Sequence, residues 1–134
     1  MNAVDTSVAI PAFASWHRAH TSALEIVNAG VVLPAHAAFE TYSVLTRMPD
    51  PHRANPSSVL RFLTESFDEH WPTMTATSMR RLLSELAGHG IRGGSTYDGL
   101  IGATARSVGA KLFTRDRRAK PIYDLLGVEV EFVG

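Results

Sequence analysis

Short unbroken apolar runs alternate along this chain with stretches whose apolar residues recur at helical spacing. The first run, Met1-Asn2-Ala3-Val4, reaches Asp5 within five residues, and the hydroxyls of Thr6 and Ser7 follow at once. This predicts a buried strand whose C-terminal end delivers Asp5 to a sheet edge, with Thr6 and Ser7 suited to capping the next helix. Residues 7–28 read as helix in two pieces, with Pro11 in the first turn and Asn28-Ala29-Gly30 as the stop. Val31-Val32-Leu33 is a short buried strand bounded by Pro34. Ala38, Phe39, Tyr42, Val44, Leu45 and Met48 then mark a helix over 36–47, halted by Pro49-Asp50-Pro51.

Asn55-Pro56-Ser57 opens a helix through about Ser66, and Asp68–Trp71 reads as a short strand before Pro72. Thr75 or Thr77 caps a helix to Ala87. Residues 88–94, with four glycines, form a loop, and Ser95 starts a helix to Val108. Residues 111–114 make a strand, 117–126 a helix, and 128–133 the last strand. Strands alternating with helices in one domain imply an α/β, three-layer sandwich: a short, mostly parallel central sheet with helices on both faces.

Composition narrows the function. At 134 residues, 45% hydrophobic and 19% charged, the chain can fill a sizeable core. No apolar run approaches the roughly 20 residues of a membrane span. The start carries no positive charge ahead of its apolar run, so it is not read as a signal peptide. With no cysteine, thiolate zinc sites and disulfides are excluded, and a cytoplasmic location is the expectation. Net charge is zero but uneven: residues 1–79 carry four Lys/Arg against seven Asp/Glu, and residues 80–134 nine against six. The densest basic patch, Lys111 to Lys120, surrounds Asp116. A nucleic-acid binder relying on bulk charge would be more basic, so only local phosphate contacts are expected.

Four acids fall just beyond a strand end or just inside a helix. They are Asp5, Glu40, Asp98 and Asp116, and in a parallel sheet those positions share one rim. Each has a simpler role open to it. Ser95-Thr96-Tyr97-Asp98 matches a capping box, Glu40 fits a solvated helix position, and Asp116 fits a turn. Their joint placement carries the weight. Four carboxylates cannot stay ionised side by side without a positive charge between them, and a hard oxygen-seeking ion, Mg²⁺ or Mn²⁺, supplies it. Such an ion activates water and neutralises a phosphodiester. Arg115, Arg117 and Arg118 either hold the flanking phosphates or form a solvated helix start.

With these residues in place, the chain resembles the PIN-domain ribonucleases, and among them the VapC-type toxins of bacterial toxin–antitoxin pairs. The resemblance spans essentially the whole chain. It rests on Val4-Asp5-Thr6-Ser7, on Phe39-Glu40-Thr41 through Leu45-Thr46-Arg47, on Tyr97-Asp98-Gly99-Leu100 through Ala105, and on Leu112-Phe113-Thr114-Arg115-Asp116. It implies a metal-dependent endoribonuclease with Asp5, Glu40, Asp98 and Asp116 as catalytic, metal-holding quartet and Ser7 and Thr114 as supporting hydroxyls. In-line attack by a metal-activated water, with one ion or two about 4 Å apart, would leave a 3′-hydroxyl and a 5′-phosphate. The resemblance further implies an RNA substrate, a homodimer, and a small antitoxin whose arginine competes with the metal. Many relatives carry another acid or Asn after the last Asp; here Arg117 and Arg118 stand there.

Some features compete with this reading. Gly88-His89-Gly90-Ile91-Arg92-Gly93 matches G-x-G-x-x-G, but a helix precedes it instead of a strand, so it reads as a loop carrying Asp98. His17 and His20 are spaced for one helix face, but zinc needs three or four such ligands. His36 shares a face with Glu40 and is a candidate lining residue. Trp16 and Trp71 are either base stackers or core and interface residues. The apolar region Ala12–Val27, with Phe13, Trp16, Leu24 and Ile26, suits either the core or an antitoxin. The rivals from other classes are a phosphoacceptor receiver, which lacks here its acidic pair because Thr6 follows Asp5, and an inactive PIN-fold binding module.

Overall fold

The computed structural model describes residues 1–134 as ten elements. In chain order they are β1 (Asn2–Val4), α1 (Thr6–Phe13), α2 (His20–Asn28), α3 (Ala35–Arg47), α4 (Pro56–Glu65), α5 (Ala76–Gly88), α6 (Ser95–Ser107), β2 (Lys111–Thr114), α7 (Lys120–Leu125) and β3 (Val130–Phe132). The strands form a parallel sheet in the order β1-β2-β3, with Ala3 beside Leu112 and Leu112 beside Val130. Val32 adds a single bridge to Ala3 on the other side of β1. β1 is therefore flanked on both sides: Val4 N–H donates to Val32 O and Asp5 N–H to Phe113 O.

Alternation along the strands divides the interior into two cores. Val4 and Phe113 face one, with Val8, Leu33, Leu45, Val59 and Ile101; Ala3 and Leu112 face the other, with Leu82, Leu86, Tyr123 and Val128. α6 contributes Ile101 to the first and Ala103 and Ala105 to the second, so it ties the layers together at the edge where the site forms.

Several local expectations are corrected. Asp5, not Thr6 or Ser7, caps α1, its carboxylate accepting from Ser7 N–H. The helix therefore begins at Thr6, which puts Pro11 inside it instead of in the first turn. The strand expected at 31–33 shrinks to one bridge, because Pro34 has no N–H to continue a ladder. Asp68–Trp71 forms no strand: the Asp68 carboxylate takes His70 N–H locally, an alternative to pairing. The Ser95–Asp98 capping box does not form; Gly94 is the N-cap and no side chain caps α6. α7 starts at Lys120 instead of 117, because the Asp116 carboxylate holds Arg118 N–H in a turn first. The other caps follow the sequence, Asn55 on α4 and Thr75 on α5.

Candidate active site

Asp5 is only 3% exposed, immediately after the end of β1. One carboxylate oxygen accepts from Ser7 N–H (3.0 Å) and Ser7 Oγ (2.5 Å), the other from Thr114 Oγ1 (2.5 Å) and Tyr123 Oη (2.8 Å). Burial pushes its pKa up, and the four donors pull against that shift. The same burial, with the Asp5 charge alongside, drives the Tyr123 phenol far above its ordinary value, so it stays protonated as a donor. Gly102 admits this arrangement: a Cβ there would lie 2.7 Å from Tyr123 Cδ1.

Thr114, which ends β2, carries the network onward. Its Oγ1 accepts from Asp116 N–H at 3.0 Å, and Ser7 Oγ accepts from Arg115 N–H at 2.7 Å. Asp116 is thus oriented by the hydroxyl that donates to Asp5. Across the pocket, Glu40 Oε1 accepts from Thr6 Oγ1 at 2.7 Å, and its other oxygen lies 3.6 Å from His36 Nε2. Asp98 enters from the first turn of α6, half-buried. Burial raises its pKa to about 6, helped by the charges of Asp116, Glu40 and Asp5 and opposed by Arg118.

These residues line one pocket of about 240 Å³: Asp5, Glu40, Asp98 and Asp116 with Thr6, Ser7 and Tyr123, over an apolar floor of Ile10 and Ile101. The sequence-predicted quartet comes together from four separate segments. No three of the acids close into a ready-made cage of direct ligands. An all-oxygen donor set of this charge still suits Mg²⁺ or Mn²⁺, since Mg²⁺ keeps several waters and takes only one or two carboxylates directly. Burial lifts Asp98 most, and the repulsion that Asp116, Glu40 and Asp5 add to it is the part such a cation would offset.

A PIN-domain model matches residues 3–125. Ribonuclease VapC40 of Mycobacterium tuberculosis is 50% identical over 133 residues, 99% of each chain. The chain belongs to the PIN-domain family, in its VapC branch. Solved structures carry the same fold at low identity. VapC20 of M. tuberculosis, a sarcin–ricin loop cleaving toxin, aligns with TM-score 0.70 at 19% identity over 90% of this chain and 94% of its own. DNA-bound VapBC of Salmonella typhimurium aligns with TM-score 0.70 at 18% identity over 98% of both chains.

In this VapC-type chain the three arginines diverge. Arg118 lies 3.6 Å from Asp116 and is almost fully exposed, whereas Arg117 lies over the Phe132 ring at 4.4 Å. Arg115 bears instead on His17, whose pKa is lowered by burial first and then by the Arg115 charge. His17 and His20 do not share a helix face, since His17 lies between α1 and α2: its Nδ1 accepts from Ala19 N–H, and His20 Nδ1 sits 2.8 Å from Pro11 O. Sequence reasoning missed Tyr123 and the Thr6–Glu40 bond. The tyrosine among Ile122, Leu125 and Leu126 was the available signal, because a buried phenol seeks a partner.

The two tryptophans and the α1–α2 region sort by burial. Ala12, Ala23 and Val27 are core, Phe13 packs edge-on to Phe62 at 5.4 Å, and Trp16 stacks on His52 at 4.0 Å. Trp71 instead joins Ala38, Phe39, Tyr42, Leu60 and Leu63 around an apolar groove between α3 and α4, where Phe39 is 72% exposed.

Proposed function

We propose that this chain is a metal-dependent endoribonuclease, the toxin of a toxin–antitoxin pair, that hydrolyses RNA phosphodiesters at the Asp5, Glu40, Asp98 and Asp116 pocket. The convergence of four acids from four segments on one small pocket, in a chain of the VapC branch, carries the reading. VapC40, half identical to it, is named a ribonuclease, and the family assignment sets aside a receiver domain.

Asp98, Asp116 and Glu40 would offer oxygens to Mg²⁺ or Mn²⁺, while Asp5, already accepting four hydrogen bonds, fixes their setting from behind. The ion, when bound, supplies activation of water and neutralisation of the phosphodiester charge. The chain does the rest. Ser7, Thr114 and Tyr123 hold Asp5 in one rotamer, Thr6 holds Glu40, and the Ile10 and Ile101 floor lowers the local dielectric so that each charge acts strongly. Arg118, exposed beside Asp116, would meet a flanking phosphate. Hydrolysis adds water across the P–O3′ bond, leaving a 3′-hydroxyl and a 5′-phosphate.

Partners belong to the same proposal. A homodimer and a small antitoxin would both need apolar surface, and the α3–α4 groove offers it. The VapBC complex of S. typhimurium supports a toxin held by an antitoxin. The test is cleavage of fluorescent single-stranded RNA by purified protein with Mg²⁺ or Mn²⁺ and with EDTA. Metal-dependent cutting, absent in Asp98→Asn, is expected; Asp5→Asn cutting at the wild-type rate with Mg²⁺ overturns the mechanism.

A further inference from the structure

An aromatic pair stands beside the acidic pocket. The rings of His36, in the first turn of α3, and Tyr97, in the first turn of α6, stack with centroids 5.0 Å apart and planes within 5°. His36 reaches Glu40 at 3.6 Å, and Tyr97 immediately precedes Asp98 in the chain. The pair therefore touches or adjoins two of the four acids. Tyr97 is 51% exposed although His36 stacks on its ring, so about half of its surface is open to solvent, next to Asp98 in the chain. A tyrosine so placed is neither core nor needed for a cap, since no side chain caps α6.

We propose that the His36–Tyr97 stack is a platform for one unpaired nucleobase next to the scissile phosphate. Resting on the ribonuclease reading above, this names what the site recognises: a flipped-out or single-stranded base, taken by its face. Proteins read single-stranded RNA in this way, because unstacked bases present a π surface to aromatic side chains. His36 braces Tyr97 from behind, and the third ring in the stack is the base. The platform is tolerant of base identity, since every base has a face to offer. Its role is positioning: a base held there fixes the neighbouring phosphate over the acids, where small misplacements are costly.

The rival is a purely structural strut joining α3 to α6. Kinetics separates the two. The probe is a synthetic RNA spanning a cut mapped first in total RNA, made intact and with an abasic nucleotide on either side of the cut. Tyr97→Ala is expected to raise KM by about 5- to 150-fold, the equivalent of one stacked base. Tyr97→Trp is expected to stay near wild type, and the Tm to move little. An abasic nucleotide on one side is expected to weaken wild type similarly yet cost Tyr97→Ala little more, because the two changes remove the same contact. If wild type cuts RNA while Tyr97→Ala keeps its KM, or loses kcat and Tm together with KM unchanged, the platform is wrong and the ribonuclease reading stands. If wild type cuts no RNA with either metal, both readings fall.

Discussion

The two ends of the acidic pocket are built differently. At one end Asp5 is buried and accepts four hydrogen bonds from Ser7, Thr114 and Tyr123. At the other Asp98 is half-buried, accepts no hydrogen bond from the protein, and has a pKa near 6, set by burial and by the charges facing it. One carboxylate is fixed by donors, the other governed by charge. On the proposed function, the Asp5 end would supply geometry and the Asp98 end the field that a cation or substrate answers.

The largest expected effect tests both ends at once. Asp5→Ala and Asp98→Ala should each lower RNA cleavage by at least on the order of 10³-fold, the several kcal/mol a metal site contributes. They should part company in stability. Asp5→Ala strips the α1 cap and strands the buried Thr114 and Tyr123 donors, a loss of at least about 2 kcal/mol and a Tm drop of more than about 5 °C. Asp98→Ala relieves repulsion and should leave the metal-free protein as stable or more so. Equal Tm losses by thermal melts would erase the distinction drawn here.

Next in size are the residues that hold Asp5. Tyr123→Phe and Thr114→Val keep shape and remove one donor each, and should reduce activity by about 10- to 100-fold, as changes behind a metal site do. Wild-type rates in both would show that Asp5 needs no fixing. Smaller again is Gly102→Ala. Its new methyl would meet the Tyr123 ring at 2.7 Å, and overpacking of this kind costs about 1–3 kcal/mol. Activity should fall less than in Tyr123→Phe, because the ring can shift while its hydroxyl stays within reach of Asp5; a larger loss would place Gly102 in the geometry itself.

These residues also mark where the sequence could be read. Asp5 was legible because a strand-end acid after a buried run is costly and therefore informative. Glu40, Asp98 and Asp116 were legible by their matching positions in a repeated strand–helix order. Tyr123 was not, since nothing local says that a hydroxyl in α7 meets a carboxylate 118 positions away. Ser95-x-x-Asp98 misled for a related reason. The pattern names a local bond, but α6 starts one residue too early for it, with Gly94 as cap and Asp98 lining the pocket. The arginines show the same limit: they are neighbours in sequence, yet Arg117 lies over Phe132, Arg118 pairs with Asp116, and the Arg115 charge acts on His17. The short pieces at 31–33 and 68–71 failed because proline and a local Asp68 bond took the donors a strand needs.

The smallest expected effect is a pH dependence that belongs to the Asp98 end. Its carboxyl has a pKa of about 6 in the metal-free folded chain, against an ordinary value of 3.8. Between those values the folded protein holds a proton that the unfolded chain has released, so folding is favoured at the acid side and stability is lost as pH rises through about 6. Melts of metal-free protein should show Tm falling across that window. Asp98→Asn should lack this component, so the difference between the two curves isolates it from every group the two proteins share. Burial also raises Asp5, with the same sign, but Asp5 is present in both proteins and cancels. A divalent cation needs Asp98 ionised, so Mg²⁺ should raise the wild-type Tm more at pH 8 than at pH 5 and do less for Asp98→Asn. Parallel curves for the two proteins at every pH, with and without Mg²⁺, would mean that the field at this end is screened by solvent and that Asp98 differs from Asp5 only in its hydrogen bonds.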